Sequence, residues 1–327
     1  MKNILLFAFL AFLISGCSSK KYFEPQKSNS YNQKKSLESQ VKSFNKDIAN
    51  LENNKFLTLD KISAKPFKEG FRVINANSDI AIGVDEKSNV AICQNEKCEI
   101  INLQAPVIAA STKDNLLAVI FWDNSIAIYD LKEKKFSFKE SLKAPLACDN
   151  RIANPKFMTD LVLFPSLDGK VVVVNLTKFE KIRDILVDTD GQFNNVFFIE
   201  ALDEMLIAST RNAIASLGAG NFEIKKYNIS EAITDEKNIF IATIDGEIVS
   251  LDAKLNVKNS KKLKYAKIIG LAQKGDFLYA LESQGYIIKI KKDFSSEEVF
   301  DAKISNSDKI FSNKNMIIVG DTSLING

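Results

Sequence analysis

Histidine is absent from this chain of 327 residues. Without it there is no Ser-His-Asp triad and no imidazole metal ligand, so any catalysis would rest on carboxylates, lysine, tyrosine or a cofactor. Neither sign of charge is in excess. The 44 lysines and arginines face 41 aspartates and glutamates, and no basic face speaks for nucleic-acid binding. Cysteine is sparse, with Cys17, Cys93, Cys98 and Cys148 only, and Trp122 is the single tryptophan. The apolar run from Ile4 to Ile14 is too short to cross a bilayer as a mature helix.

That run is nevertheless informative. It follows Lys2 and closes as Ile14-Ser15-Gly16-Cys17. A charged start, an apolar middle and small residues before the cut describe a secretory signal over residues 1–16. The cysteine directly after Ser-Gly makes the segment resemble a bacterial lipoprotein signal. The resemblance implies that Cys17 becomes the new N-terminus and is acylated, with palmitate among the chains. Two or more acyl chains suffice for stable membrane anchoring. The alternative is an ordinary secreted protein with an incidental cysteine.

Three cysteines remain, and they allow three single-bridge pairings. Cys93 and Cys98 flank the polar turn Gln94-Asn95-Glu96-Lys97 between two apolar segments. In such a hairpin the flanking residues face each other at about 4.5–5.5 Å between Cβ atoms, so a disulfide needs only modest closing. An exported chain meets an oxidising compartment. The alternative is a pair of free thiols. Cys148, in Pro145-Leu146-Ala147-Cys148, reads as a small buried hydrophobe.

Residues 17–35 are polar and charged, which predicts a flexible tether behind the lipid. Over 36–53, Leu37, Val41, Phe44, Ile48 and Leu51 recur at helical spacing, which predicts an amphipathic helix packed on its own domain or on a partner. From residue 54 to 327 the period changes. Short β-branched and aromatic runs alternate with polar turns. One pattern, two apolar strands around a small turn, recurs as IAIGVDEKSNVAIC (80–93), LLAVIFWDNSIAIYDL (116–131), LVLFPSLDGKVVVVNL (161–176), MLIASTRNAIASLG (205–218), IFIATIDGEIVSLD (239–252), FLYALESQGYIIKI (277–290) and MIIVGDTSLING (316–327).

A hairpin repeating at about forty residues is the mark of a propeller blade. The expected fold is therefore all-β, a β-propeller of about seven four-stranded blades. Pieces such as Val196-Phe197-Phe198-Ile199 and Ile268-Ile269-Gly270-Leu271 would line its axis. The last copy lacks an outer strand, and Phe56-Leu57-Thr58-Leu59 could supply it, closing the ring and removing an exposed edge.

With the lipobox, the polar tether and turn pieces such as SLDGKVVVVNL and TIDGEIVSLD, the chain resembles the bacterial propeller lipoproteins. Their type is the B subunit of the outer-membrane β-barrel assembly machinery. The resemblance implies a non-enzymatic, lipid-anchored periplasmic scaffold for protein–protein contacts, monomeric within a larger complex. Ser18 and Ser19, where aspartate would signal inner-membrane retention, imply the periplasmic face of the outer membrane. The Trp-docking motif of quinoprotein repeats is missing, which argues against a quinone. No cofactor or metal is expected. The alternative is an enzymatic or ligand-binding propeller holding a sugar, peptide or quinone in its axial funnel. Asp188-Thr189-Asp190-Gly191 could open a calcium loop but lacks the later ligands, so it reads as an inter-blade turn. No nucleophile is visibly paired with a base.

Overall fold

A computed structural model describes residues 21–326 apart from 60, 95–96, 146, 219 and 305–307. Every regular element among the described residues is a strand, and the strands form eight sheets that follow one another along the chain. Apart from two short N-terminal strands that join the last two sheets, each sheet is an antiparallel meander running outward from an inner strand, so the sheets are blades around one axis. Blade 1 holds Val41–Phe44, Ala49–Leu51 and Phe56–Leu57. Blade 2 runs from Arg72–Ala76 to Lys97–Asn102, blade 3 from Val107–Lys113 to Lys135–Glu140, and blade 4 from Lys156–Phe157 to Glu180–Leu186. Blade 5 runs from Phe198–Leu202 to Asn221–Lys226, blade 6 from Ile229–Thr234 to Val257–Lys262, and blade 7 from Ile268–Lys274 to Glu297–Asp301. Blade 8 spans Ile310–Ser312 to Thr322–Asn326.

All seven hairpins read from the sequence are the middle strands of blades 2 to 8. The ring has eight blades rather than about seven, because the stretch expected as a helix is blade 1. Its apolar residues do recur at helical spacing, but Asn45 breaks the helix. The Asn45 side-chain carbonyl accepts from the backbone N–H groups of Asp47 and Ile48, and Asn45 N–H donates to the Ile48 carbonyl at 2.9 Å. Asparagine satisfies a turn in this way better than a helix interior. The chain reverses, and Val41, Ala49 and Leu51 meet Phe311, Met316 and Ile318 of blade 8.

Closure also differs from expectation. Phe56–Leu57 stays in blade 1. The outer strand of blade 8 is Lys35–Ser36, antiparallel to Thr322–Asn326. Residues 21–35, expected as a free tether, lie against the propeller as a strap. Phe23 is buried between blades 6 and 7, edge-on to Tyr286. Asn29–Ser30 adds a parallel strand to the outer edge of blade 7. Tyr31 is buried between blades 7 and 8, and its hydroxyl donates to the Leu324 carbonyl at 2.6 Å. Two aromatics in a polar segment are enough to dock it.

Among the described residues, seven apolar clusters fill the junctions between neighbouring blades, from 2/3 round to 8/1. Junction 1/2 is joined through asparagine instead. Asn50 donates to the Val73 carbonyl and accepts from Val73 N–H, and Asn45 donates to the Ile74 carbonyl.

Candidate functional site

The meander puts the turns between second and third strands on the same face as the links from one blade to the next. The first of these turns repeats a pattern. Asn124, Gly169, Gly246 and Gly285 all take positive φ at its end. At Gly169 a Cβ would lie 1.6 Å from the Asp188 carbonyl oxygen, so only glycine fits. The residue two places earlier is Trp122 in blade 3, Leu167 in blade 4, Ile244 in blade 6 and Ser283 in blade 7.

Leu167 is buried, whereas Trp122 is 65% exposed and Ile244 also projects into solvent. Trp122 is nonetheless firmly carried. Ser125 donates to the Asp123 carboxylate through both N–H and Oγ–H. Buried Asn124 reaches into blade 4, donating to Asp168 at 3.1 Å and accepting from Leu167 N–H at 2.8 Å. Burial pushes the Asp168 carboxyl upward, but hydrogen bonds from Ser166, Asn124 and Lys170 outweigh it and hold the group below the usual carboxylate range.

Trp122 stands at the rim of a groove of about 930 Å³ over blades 1 to 3, lined in part by Lys42, Asn50, Phe71, Arg72 and Asp85. Desolvation there lowers the Arg72 guanidinium from its ordinary value. Phe193 and Tyr265, in inter-blade links, are also exposed on this face. The face thus presents exposed aromatic and aliphatic side chains singly, in a mixed-charge setting.

The axis is partitioned by charge. Lys46 of blade 1 pairs with Glu231 of blade 6, and Arg151 pairs with Glu231 at 3.4 Å and with Asp149. Arg151 also donates to the Ser230 carbonyl. Phe197 lies under both cations, 4.4 Å from the Arg151 guanidinium carbon and 5.7 Å from Lys46 Nζ. Burial raises the Asp149 carboxyl, yet hydrogen bonds and charge from Arg151, with Arg211 behind, bring it below its ordinary value. Lys46 faces a cavity of about 240 Å³ at the ends of the inner strands, with Asp47, Asn154, Lys156 and Glu200. Glu231 and Arg151 face one of about 300 Å³ at their starts. Lys156 and Glu200 pair with each other. Desolvation raises the Asp47 carboxyl; Lys46 opposes and Glu200 adds to the effect.

Of the residues singled out in the sequence, Cys93 and Cys98 are joined, with Cα atoms 4.0 Å apart. Pairing continues through Gln94–Lys97, so the turn is tighter than four polar residues suggest. Cys17 lies outside the described residues. Cys148 is a free, half-buried thiol packed on the blade 3/4 cluster, its pKa raised by burial and then by Asp149. Asp188 sits in an inter-blade link and accepts from Lys226 Nζ at 2.7 Å, and no metal-holding carboxylate group occurs among the described residues. Glu231, Arg151 and Lys46 carried no sequence signal, since their partners come from distant blades.

The strands define an eight-bladed β-propeller, and comparison with solved structures agrees. BamB from Moraxella catarrhalis superposes with a TM-score of 0.65 at 12% identity, covering 90% of this chain and 98% of that one. The C-terminal WD40 domain of Sif2 gives 0.65 at 14% identity over 92% of this chain and 100% of its own. At such identities the likeness is one of fold. No protein-family model matches the chain. In sequence it is similar to the plasminogen-binding protein PgbB of Helicobacter pylori strain J99, 28% identical over 363 aligned positions that cover 96% of this chain and 67% of that protein. The PgbB of strain 26695 is 32% identical over 220 positions, 66% of this chain and 40% of that protein.

Proposed function

We propose that the chain is a protein-binding propeller scaffold of the bacterial envelope, tethered by lipid on Cys17 at the periplasmic face of the outer membrane. The observation that carries the binding role is Trp122, the only tryptophan, exposed yet held by a turn pinned to the next blade. Tryptophan is, with tyrosine and arginine, among the residue types enriched at interface hot spots. The axial charges are largely satisfied by one another, which favours a scaffold over a funnel that receives a small ligand.

Two partner classes follow from the likenesses. The propeller shared with BamB points to components of outer-membrane barrel assembly, and the similarity to PgbB points to plasminogen. Immobilised protein is exposed separately to plasminogen and to the periplasmic domains of the barrel-forming subunit. Saturable capture of one of them is expected, weakened about thirtyfold by Trp122→Ala, the equivalent of about 2 kcal/mol at an interface anchor. Capture of neither, or capture indifferent to Trp122→Ala, would refute the reading. For the anchor, Cys17→Ala should move the folded protein from the membrane fraction to the soluble one; a variant still bound to membranes would refute that part.

A further inference from the structure

The groove between blades 7 and 8 is filled by the chain itself. Tyr31 enters it and packs among Tyr279, Ile317 and Ile325, with Phe300 edge-on at 5.7 Å. Just before it, Asn29 and Ser30 pair in parallel with Phe300 and Asp301 on the outer edge of blade 7.

Blades 4 and 5 build the same groove from equivalent residues. Counted back from the turn glycines Gly285 and Gly169, Tyr279 and Leu163 hold the same place. Phe300 is paired with Ile287 and Ile185 with Val171, again at matching distance from those glycines. Ile317 faces Ile325 in blade 8 as Leu206 faces Leu217 in blade 5. Leu163, Ile185, Leu206 and Leu217 line an open groove of about 510 Å³. Its rim residues Met158 and Phe222 are 42% and 50% exposed, and Leu186 on the adjoining edge is 47% exposed. Among the described residues nothing pairs with the outer side of Glu180–Leu186.

The geometry points to this groove as the dock for an extended segment of a partner protein that carries an aromatic residue. The segment adds a short parallel strand beside Ile185 and Leu186, as Asn29–Ser30 does at blade 7, and drops its ring between blades 4 and 5. Main-chain pairing at a sheet edge gives affinity and the aromatic pocket gives selectivity. The inference rests on the protein-binding reading above. It concerns different residues from the Trp122 face, so either can fail alone.

The test uses a fluorescein-labelled peptide copying residues 26–35, QKSNSYNQKK, titrated into the full chain and followed by anisotropy. Saturable binding at one site per chain is expected. Replacing the peptide's tyrosine by alanine should weaken it at least tenfold. So should the double substitution Met158→Asp with Phe222→Asp, whose solvent-facing positions leave the core intact, as circular dichroism would verify. Absence of saturable binding overturns the proposal. So does binding unchanged by the groove substitutions. Loss of binding through Phe300→Asp alone would mean that the peptide displaces the strap at blades 7 and 8, which also overturns it. A dimer in size-exclusion chromatography that Tyr31→Ala dissolves would make a second copy the occupant and overturn it likewise.

Discussion

Tyr31 shows how much one side chain contributes to a segment that is otherwise polar. Its ring is buried between two blades and its hydroxyl meets a backbone carbonyl. Tyr31→Phe should cost about 1 kcal/mol, the net worth of one such bond, read as a lower urea midpoint at pH 8. Burial, with a smaller contribution from Tyr279, pushes the phenol up to about 12. In the unfolded chain it ionises near 10. The folded state therefore holds this proton more tightly. The stabilisation is complete below about pH 10 and is lost as pH rises through about 12. Between pH 8 and pH 11 the wild type should lose more stability than Tyr31→Phe, and equal losses would contradict the buried-phenol account.

At the level of elements, the strap and the disulfide hairpin differ in reach. The Cys93–Cys98 bridge closes a short loop, so the entropy it removes from the unfolded chain is small. Phe23 is a buried aromatic at a junction of two blades. Phe23→Ala should cost about 3 kcal/mol and expose residues 21–36 to limited proteolysis. Cys93→Ser with Cys98→Ser should lower the melting temperature less and leave the strap protected. Thermal melts and mass spectrometry of the digests decide between these outcomes.

The same elements mark what could be read in advance. The seven hairpins were legible because alternation and turn residues such as Asp168-Gly169 and Asp245-Gly246 are local. The hairpin at Val41–Leu51 was not, because two short strands joined by an Asn45 turn space their apolar residues as a helix does. The strap was hidden for a related reason. Phe23 and Tyr31 show no strand or helix periodicity in a mostly polar segment, and their pockets are made by residues hundreds of positions away.

Across the whole molecule, the axial network ties blade 1 to blade 6 and to the link ahead of blade 4. It joins them through Lys46, Glu231, Arg151 and Asp149. Asp149→Asn leaves Arg151 short of a charge partner in a buried place, and loss of one member of such a pair costs roughly 3 kcal/mol or more. The Asp149 carboxyl lies below its ordinary value when folded, against about 3.9 unfolded. Its contribution is therefore present above the unfolded value and is lost as pH falls through the depressed folded one. Urea unfolding should show a large gap between wild type and Asp149→Asn at pH 7 and a smaller one at pH 3. A gap that stays constant would rule out the ion pair as its source.

The repeat of apolar strand, turn and apolar strand determined by itself that this chain is a propeller. Side-chain alternation and turn chemistry act over a few residues, and no single hairpin can bury its apolar faces alone. Only the tertiary structure decided the eighth blade, the strap that closes the ring, the charged partition on the axis and the projection of Trp122. Each of these depends on groups far apart in the chain, whose attraction exists only once the blades have brought them within contact.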